Sequence, residues 1–145
     1  MEGGVTSLRR LRDAIKTTLD AAFTGRDTQV YDKVVYAPNL PAILIQPATT
    51  TFPERMARRG QVVAEFDLIV LVSEGDPELA QDELDAYVDW DGDRSIWQAI
   101  ADRHTLGLGD GTYAWVDRMD AYGARYDSAG VEHIGATLRM IVRTT

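Results

Sequence analysis

Apolar residues at Leu8, Leu11, Ile15, Leu19 and Ala22 recur at steps of three and four, and so predict a helix over residues 8–23 with one apolar stripe. Thr6 or Ser7 supplies a hydroxyl to cap its start, and Gly25 suits its end because glycine enters the left-handed region at little cost. The opposite face carries Arg9, Arg10, Arg12 and Lys16, a basic surface read as solvated. Val30 to Tyr36 predicts a strand from its Val and Tyr content, Pro38–Pro41 a turn, and Ala42 to Gln46 a second strand closed by Pro47. Residues 48–60 read as a long polar and basic connection.

Gln61 to Ser73 is the strongest strand signal. Val62, Ala64, Phe66, Leu68, Val70 and Val72 share one face. The other face changes from Gln61, Val63, Glu65 and Asp67 to Ile69 and Leu71, which predicts a strand wet on that face at first and buried on both faces later. Asp76-Pro77 starts a helix whose buried side is expected to hold Leu79, Ala80, Leu84, Tyr87 and Val88. Asp91-Gly92-Asp93 reads as a turn and cap before a short helix, Ser95 to Arg103, with Ile96, Trp97 and Ile100 inward. A glycine-rich connection, His104 to Gly111, leads to two alternating strands, Tyr113–Tyr122 and Ile134–Val142, joined by a loop over Gly123–Gly130. The order α-β-β-β-α-α-β-β predicts one α+β domain over residues 1–145: a mainly antiparallel sheet of about five strands, flanked by an N-terminal helix and a helical pair. Leu68, Val70, Trp97, Ile100, Leu138 and Met140 are the expected core.

Composition adds little to the fold and more to the function. With 145 residues, 45% hydrophobic and 26% charged, the chain matches an ordinary globular domain. It has no cysteine, which excludes disulfides, thiol nucleophiles and cysteine-bound metals. The first residues lack the apolar segment of a signal peptide, and no apolar run approaches the roughly 18 to 20 residues of a membrane span, so a soluble, cytosolic protein is expected. The net charge of -8 is unevenly spread. Residues 1–60 hold nine Lys/Arg against six Asp/Glu, whereas residues 61–145 hold six against 17. The acidic part opposes tight binding to nucleic acid. The polarity suits head-to-tail contact between copies.

Candidate chemistry is sparse. Asp89, Asp91 and Asp93 have the spacing of the first ligands of a calcium loop, but the positions that need Gly and Glu hold Arg94 and Ile100. His104 and His133 form no paired zinc motif. No serine sits in a Gly-x-Ser-x-Gly turn. Gly107-Leu108-Gly109-Asp110-Gly111 lacks the Gly-Lys-Ser/Thr ending of a phosphate loop and leads into a strand. Trp90, Trp97 and Trp115 favour core or interface packing. A non-enzymatic protein with no catalytic, metal or cofactor residues is the expectation, and a small-ligand-binding α+β domain is the alternative of a different class.

One stretch points to a family. Leu84-Asp85-Ala86-Tyr87-Val88-Asp89, a short Gly-containing turn, Arg94-Ser95-Ile96-Trp97-Gln98-Ala99-Ile100, Leu106-Gly107 and two long terminal strands together resemble the tail terminator proteins of long, non-contractile-tailed phages. The resemblance implies a structural virion protein in the neck region of the tail, assembled in the host cytoplasm. It implies a cyclic homo-oligomer, a hexameric ring that caps the tail tube, stops its polymerisation and offers the surface where the head joins. The implied partners are further copies of the chain, the major tail tube protein and a head-completion or neck protein. Genomic DNA would pass through the channel without specific binding, and no membrane is involved. Another head–tail joining or tail-completion protein is the runner-up within this class.

Two sets of residues are predicted to carry such a role. Residues 49–61, with the start of the following strand, are expected to project as an arm, with Phe52 and Met56 as apolar anchors and Arg55, Arg58 and Arg59 as charges at the interface. If a ring forms, its lumen is expected to be acidic or neutral, with Asp82, Glu83 and Asp85 on the helix and Asp117 and Asp120 on the strand as candidates.

Overall fold

The computed structural model describes residues 7–25, 27–33, 35, 38–51, 62–73, 77–109, 111–128 and 131–144. Its elements run α1 (Leu8–Ala22), β1 (Gln29–Tyr31), β2 (Ala42–Thr51), β3 (Val62–Ser73), α2 (Pro77–Val88), α3 (Ile96–Asp102), β4 (Thr112–Ser128) and β5 (Val131–Thr144). The expected α+β class and element order therefore hold. One five-stranded mixed sheet has the order β1-β2-β3-β5-β4. Only β1 and β2 are parallel, and the other neighbours are antiparallel.

The helices pack on one sheet face. Ser7 caps α1 by accepting from the Arg10 N–H at 3.1 Å. Gly25, with φ +82°, turns the chain out of that helix. The buried stripe is Leu11, Ala14, Ile15, Thr18 and Leu19, so the predicted stripe was slightly rotated: Leu8 and Ala22 at its ends lie exposed. These residues meet Ile43, Ile45, Ala64, Phe66, Leu68, Val70, Val72, Leu138, Met140 and Val142 in a single core. Ala80, Leu84 and Tyr87 of α2 and Ile96 and Ile100 of α3 complete it. Tyr87 meets Phe23 edge-on at 5.8 Å, and its hydroxyl is hydrogen-bonded to that of Thr28. Five of the six expected core residues are buried. Trp97 is the exception at 42% exposure, and Leu79, expected on the buried side of α2, is 66% exposed.

Strand boundaries differ from expectation, and Val34 and Tyr36 of the first predicted strand lie outside the described residues. β1 is three residues long, and Asp32 and Lys33 beyond it form a bend. β2 does not stop at Pro47. Its ladder with β3 skips from Pro47↔Phe66 to Thr49↔Glu65 and continues to Thr51↔Val63. A proline costs no ladder hydrogen bond on an edge, and β1 covers β2 only at Ala42 to Leu44. The start of β3 therefore does not project as an arm, because from Val63 onward it is flanked by β2 and by β5. Residues 52–61, the rest of that predicted arm, lie outside the described residues.

β4 and β5 also pair far beyond the predicted loop, to Ser128↔Val131. Gly123, with φ +78°, and Ala121, with φ 56°, mark an irregularity between Asp120 and Ala124, after which the ladder resumes. Glycine here makes a bulge and does not end the strand. A second irregularity between Val116 and Arg118 breaks strict alternation. Arg118 and Asp120 thereby join Trp115 on the face away from the helices, opposite Arg139, Thr137 and Ile141.

Candidate interaction surfaces

The face of the sheet away from the helices is neither core nor simple wet surface. Arg139 of β5 reaches across to β3, donating from one guanidinium nitrogen to Glu65 at 2.7 Å and from Nε to Asp67 at 2.8 Å. All three side chains are roughly three-quarters buried or more. The two carboxylates, Glu65 first, raise the Arg139 pKa above its ordinary value. The predicted wet half of this face of β3 is thus closed by an ion triad. The predicted buried half holds, with Leu71 buried and Ile69 half-buried.

The acidic candidates fall into two groups. Asp82 and Asp85 are exposed on α2 and Glu83 is half-buried. The Tyr122 hydroxyl of β4 donates to Asp85 Oδ1, which ties the acidic side of α2 to the far part of β4. That bond, then partial burial, raises the Tyr122 pKa, and the charge of Asp82 adds to it. Asp82 and Glu83 also line a depression of about 520 Å³ with Leu79 and Arg94. Asp117 and Asp120 are exposed in the bulged middle of β4, and Arg118 bonds both, at 3.4 and 3.1 Å. The structure therefore joins α2 to β4 through Asp85, while Asp117 and Asp120 are partly neutralised by their own strand. The predicted interface residues Phe52, Arg55, Met56, Arg58 and Arg59 lie outside the described residues.

The two long helices differ in charge. Helix α1, with Arg9 and Arg10 exposed, packs against α3, β1 and β2, and Arg12 donates to the Asp32 carbonyl at 3.2 Å. Four acidic residues and no Lys or Arg lie on α2, which packs against β3 and β5.

Sequence reading missed an aromatic cluster at the start of β4. His104 lies 4.9 Å from Tyr113, Tyr113 lies 5.8 Å from Trp115, and the Arg143 guanidinium sits 5.4 Å above the Trp115 ring. Tyr113, Trp115 and Arg143, together with Trp97 of α3, line a groove of about 660 Å³. A partial signal was present: Tyr113 and Trp115 alternate onto one face, and Arg143 lies on the non-core side of the last strand. Their meeting needed the register Tyr113↔Arg143. The glycine-rich connection packs beside them. Its His104 and Gly109 carbonyls accept from the Ala114 and Thr112 N–H groups at 2.7 and 3.1 Å, so the connection covers the beginning of the β4 edge.

The remaining candidates do structural work. The Asp89 and Asp91 carboxylates accept from the Trp90 and Gly92 N–H groups at 2.7 and 2.9 Å. Ser95, not an aspartate, caps α3: its hydroxyl accepts from Gln98 N–H at 3.0 Å and donates to the Asp89 carbonyl at 2.6 Å. His133 pairs with Ser73 near one end of β5, whereas His104 lies by Tyr113, which pairs with Arg143 at the other. Ten residues of strand, about 33 Å, separate these ends, so the two histidines cannot act together. Among the described residues, no group of three His, Cys, Asp or Glu is placed to hold a metal ion, and no helix is long and apolar enough to cross a membrane. Comparison with protein-family models and with curated proteins finds no match for the chain.

Proposed function

We propose that this chain is a structural virion subunit of the tail-terminator kind, which forms a ring of identical copies, caps the tail tube and receives the head. The observation that carries the reading is the separation of charge between two helices packed on one sheet. Basic α1 packs on β1, β2 and α3, while acidic α2 lies over β3 and β5 and is tied to β4 through Asp85. Unlike surfaces on different elements of one subunit favour heterologous contacts, which close into rings at a fixed rotation. The segment that carries the resemblance forms α2, the braced turn and α3, followed by two long paired strands, in the order the resemblance implies.

The decisive experiment adds the purified chain to tail tubes growing in vitro and follows tube length and end-on symmetry by electron microscopy. Arrested growth with sixfold rings at one tube end is the expected result. Reversing Arg55, Arg58 and Arg59 together to glutamate should weaken assembly, most at low salt where screening is slight. A chain that neither self-associates nor stops growth overturns the reading. Binding to head-completion protein without any effect on tubes selects the alternative, another head–tail joining protein.

A further inference from the structure

Among the described residues, the Trp90 indole protrudes from the surface and an aromatic hollow lies open beside the start of β4. Trp90 is 74% exposed, more than any other large apolar side chain described. It stands in a turn that is firmly held, with Asp89 and Asp91 bonded to the Trp90 and Gly92 N–H groups and Ser95 bonded to the Asp89 carbonyl. A braced turn loses little conformational freedom when its side chain docks, so most of the gain from covering the indole is kept. The hollow is the groove of about 660 Å³ formed by Trp97, Tyr113, Trp115 and Arg143. Tryptophan, tyrosine and arginine are the residues that concentrate binding energy in interfaces.

Charge selects the occupant. Trp90 is flanked by the exposed Asp89, Asp91 and Asp93, while the rim of the groove carries the exposed Arg143, whose guanidinium already lies over Trp115. Arg103, at the end of α3, is exposed as well. An acidic turn bearing an indole complements an aromatic groove bearing the Arg143 guanidinium. A nucleobase would also stack in the groove, but its phosphates would meet a chain of net charge -8.

We propose that Trp90 of one copy seats in the Trp97–Tyr113–Trp115–Arg143 groove of a second copy. A docked tryptophan buries on the order of 200 Å². Knob and groove are different surfaces of one chain, so the contact is head-to-tail and leaves each copy with a free knob or groove for the next. Only the closure of such contacts into a ring rests on the function proposed above; the contact itself is tested separately.

The test is sedimentation velocity of the full chain over a range of concentrations, for wild type, Trp90→Ala and Tyr113→Ala/Arg143→Ala. Each replaced side chain is exposed, so at a concentration where all three proteins are monomeric they should melt close together. The wild type should self-associate, and each variant should do so at least about 30-fold more weakly, the loss expected of a central interface aromatic. An equimolar mixture of the two variants should form a 1:1 pair and nothing larger, because only one intact knob and one intact groove remain to meet. A monomeric wild type, a Trp90→Ala variant that associates normally, or a groove filled only by added single-stranded oligonucleotide overturns the proposal. If Trp90→Ala still caps tail tubes as sixfold rings, the contact is wrong and the ring reading stands. If the contact holds but tubes grow unchecked, the ring reading is wrong and the contact stands.

Discussion

Replacing Arg139 by methionine removes a guanidinium from between two carboxylates while leaving much of its alkyl bulk. Arg139 holds Glu65 at 2.7 Å and Asp67 at 2.8 Å, with side-chain exposures of 19% for the arginine and 26% for each acid. A fully exposed ion pair contributes about 0–1 kcal/mol. Breaking a fully buried one costs about 3–5 kcal/mol, mostly because the remaining charge is stranded. This triad lies between those limits, and two like charges are stranded together on one face of β3. A loss of about 2 kcal/mol is expected, or a fall in melting temperature of roughly 6 °C for a chain of this size. Urea unfolding followed by circular dichroism should show a lower midpoint at an unchanged slope. The control is Arg139→Met with Glu65→Gln and Asp67→Asn, which removes the stranded charges and should recover at least half the loss. A single variant within about 0.5 kcal/mol of wild type, or a triple variant no better than the single, refutes the reasoning.

Two further outcomes follow from the packing and from the α2–β4 tie. Ile100→Ala, at a site with 0% exposure, should cost about 2–5 kcal/mol, while Trp97→Ala one turn earlier on the outer side of α3 should cost clearly less; equal losses in chemical denaturation would return Trp97 to the core. The Tyr122 pKa is raised by its bond to Asp85, so the bond stabilises the fold fully below the ordinary tyrosine value and is lost as pH rises through the higher folded value. The ultraviolet tyrosinate absorbance of wild type minus Tyr122→Phe should therefore show one tyrosine titrating late, and normal titration of that tyrosine would discount the bond.

The periodic elements were legible in the chain. Alternation from Val62 to Val72 and the three-and-four spacing from Leu11 to Leu19 are local patterns, and each names its buried face without reference to any other element. The absence of cysteine, the separation of basic and acidic stretches and the missing calcium-loop positions were equally plain. Breakers misled, because their effect depends on the neighbouring strand. Pro47 ends a strand only where its missing N–H is needed, and beyond Leu44 no described strand pairs with that edge of β2. Gly123 becomes a bulge because β5 is present to resume the ladder. Trp97 and Leu79 looked inward by spacing, yet how far round a helix burial extends is set by what packs against it. The Arg139 triad joins residues more than seventy positions apart in sequence, and the Trp115–Arg143 pair follows from the β4–β5 register. Spacing within an element comes from backbone geometry alone, whereas these meetings depend on strand order and register, which the sheet settles only as a whole.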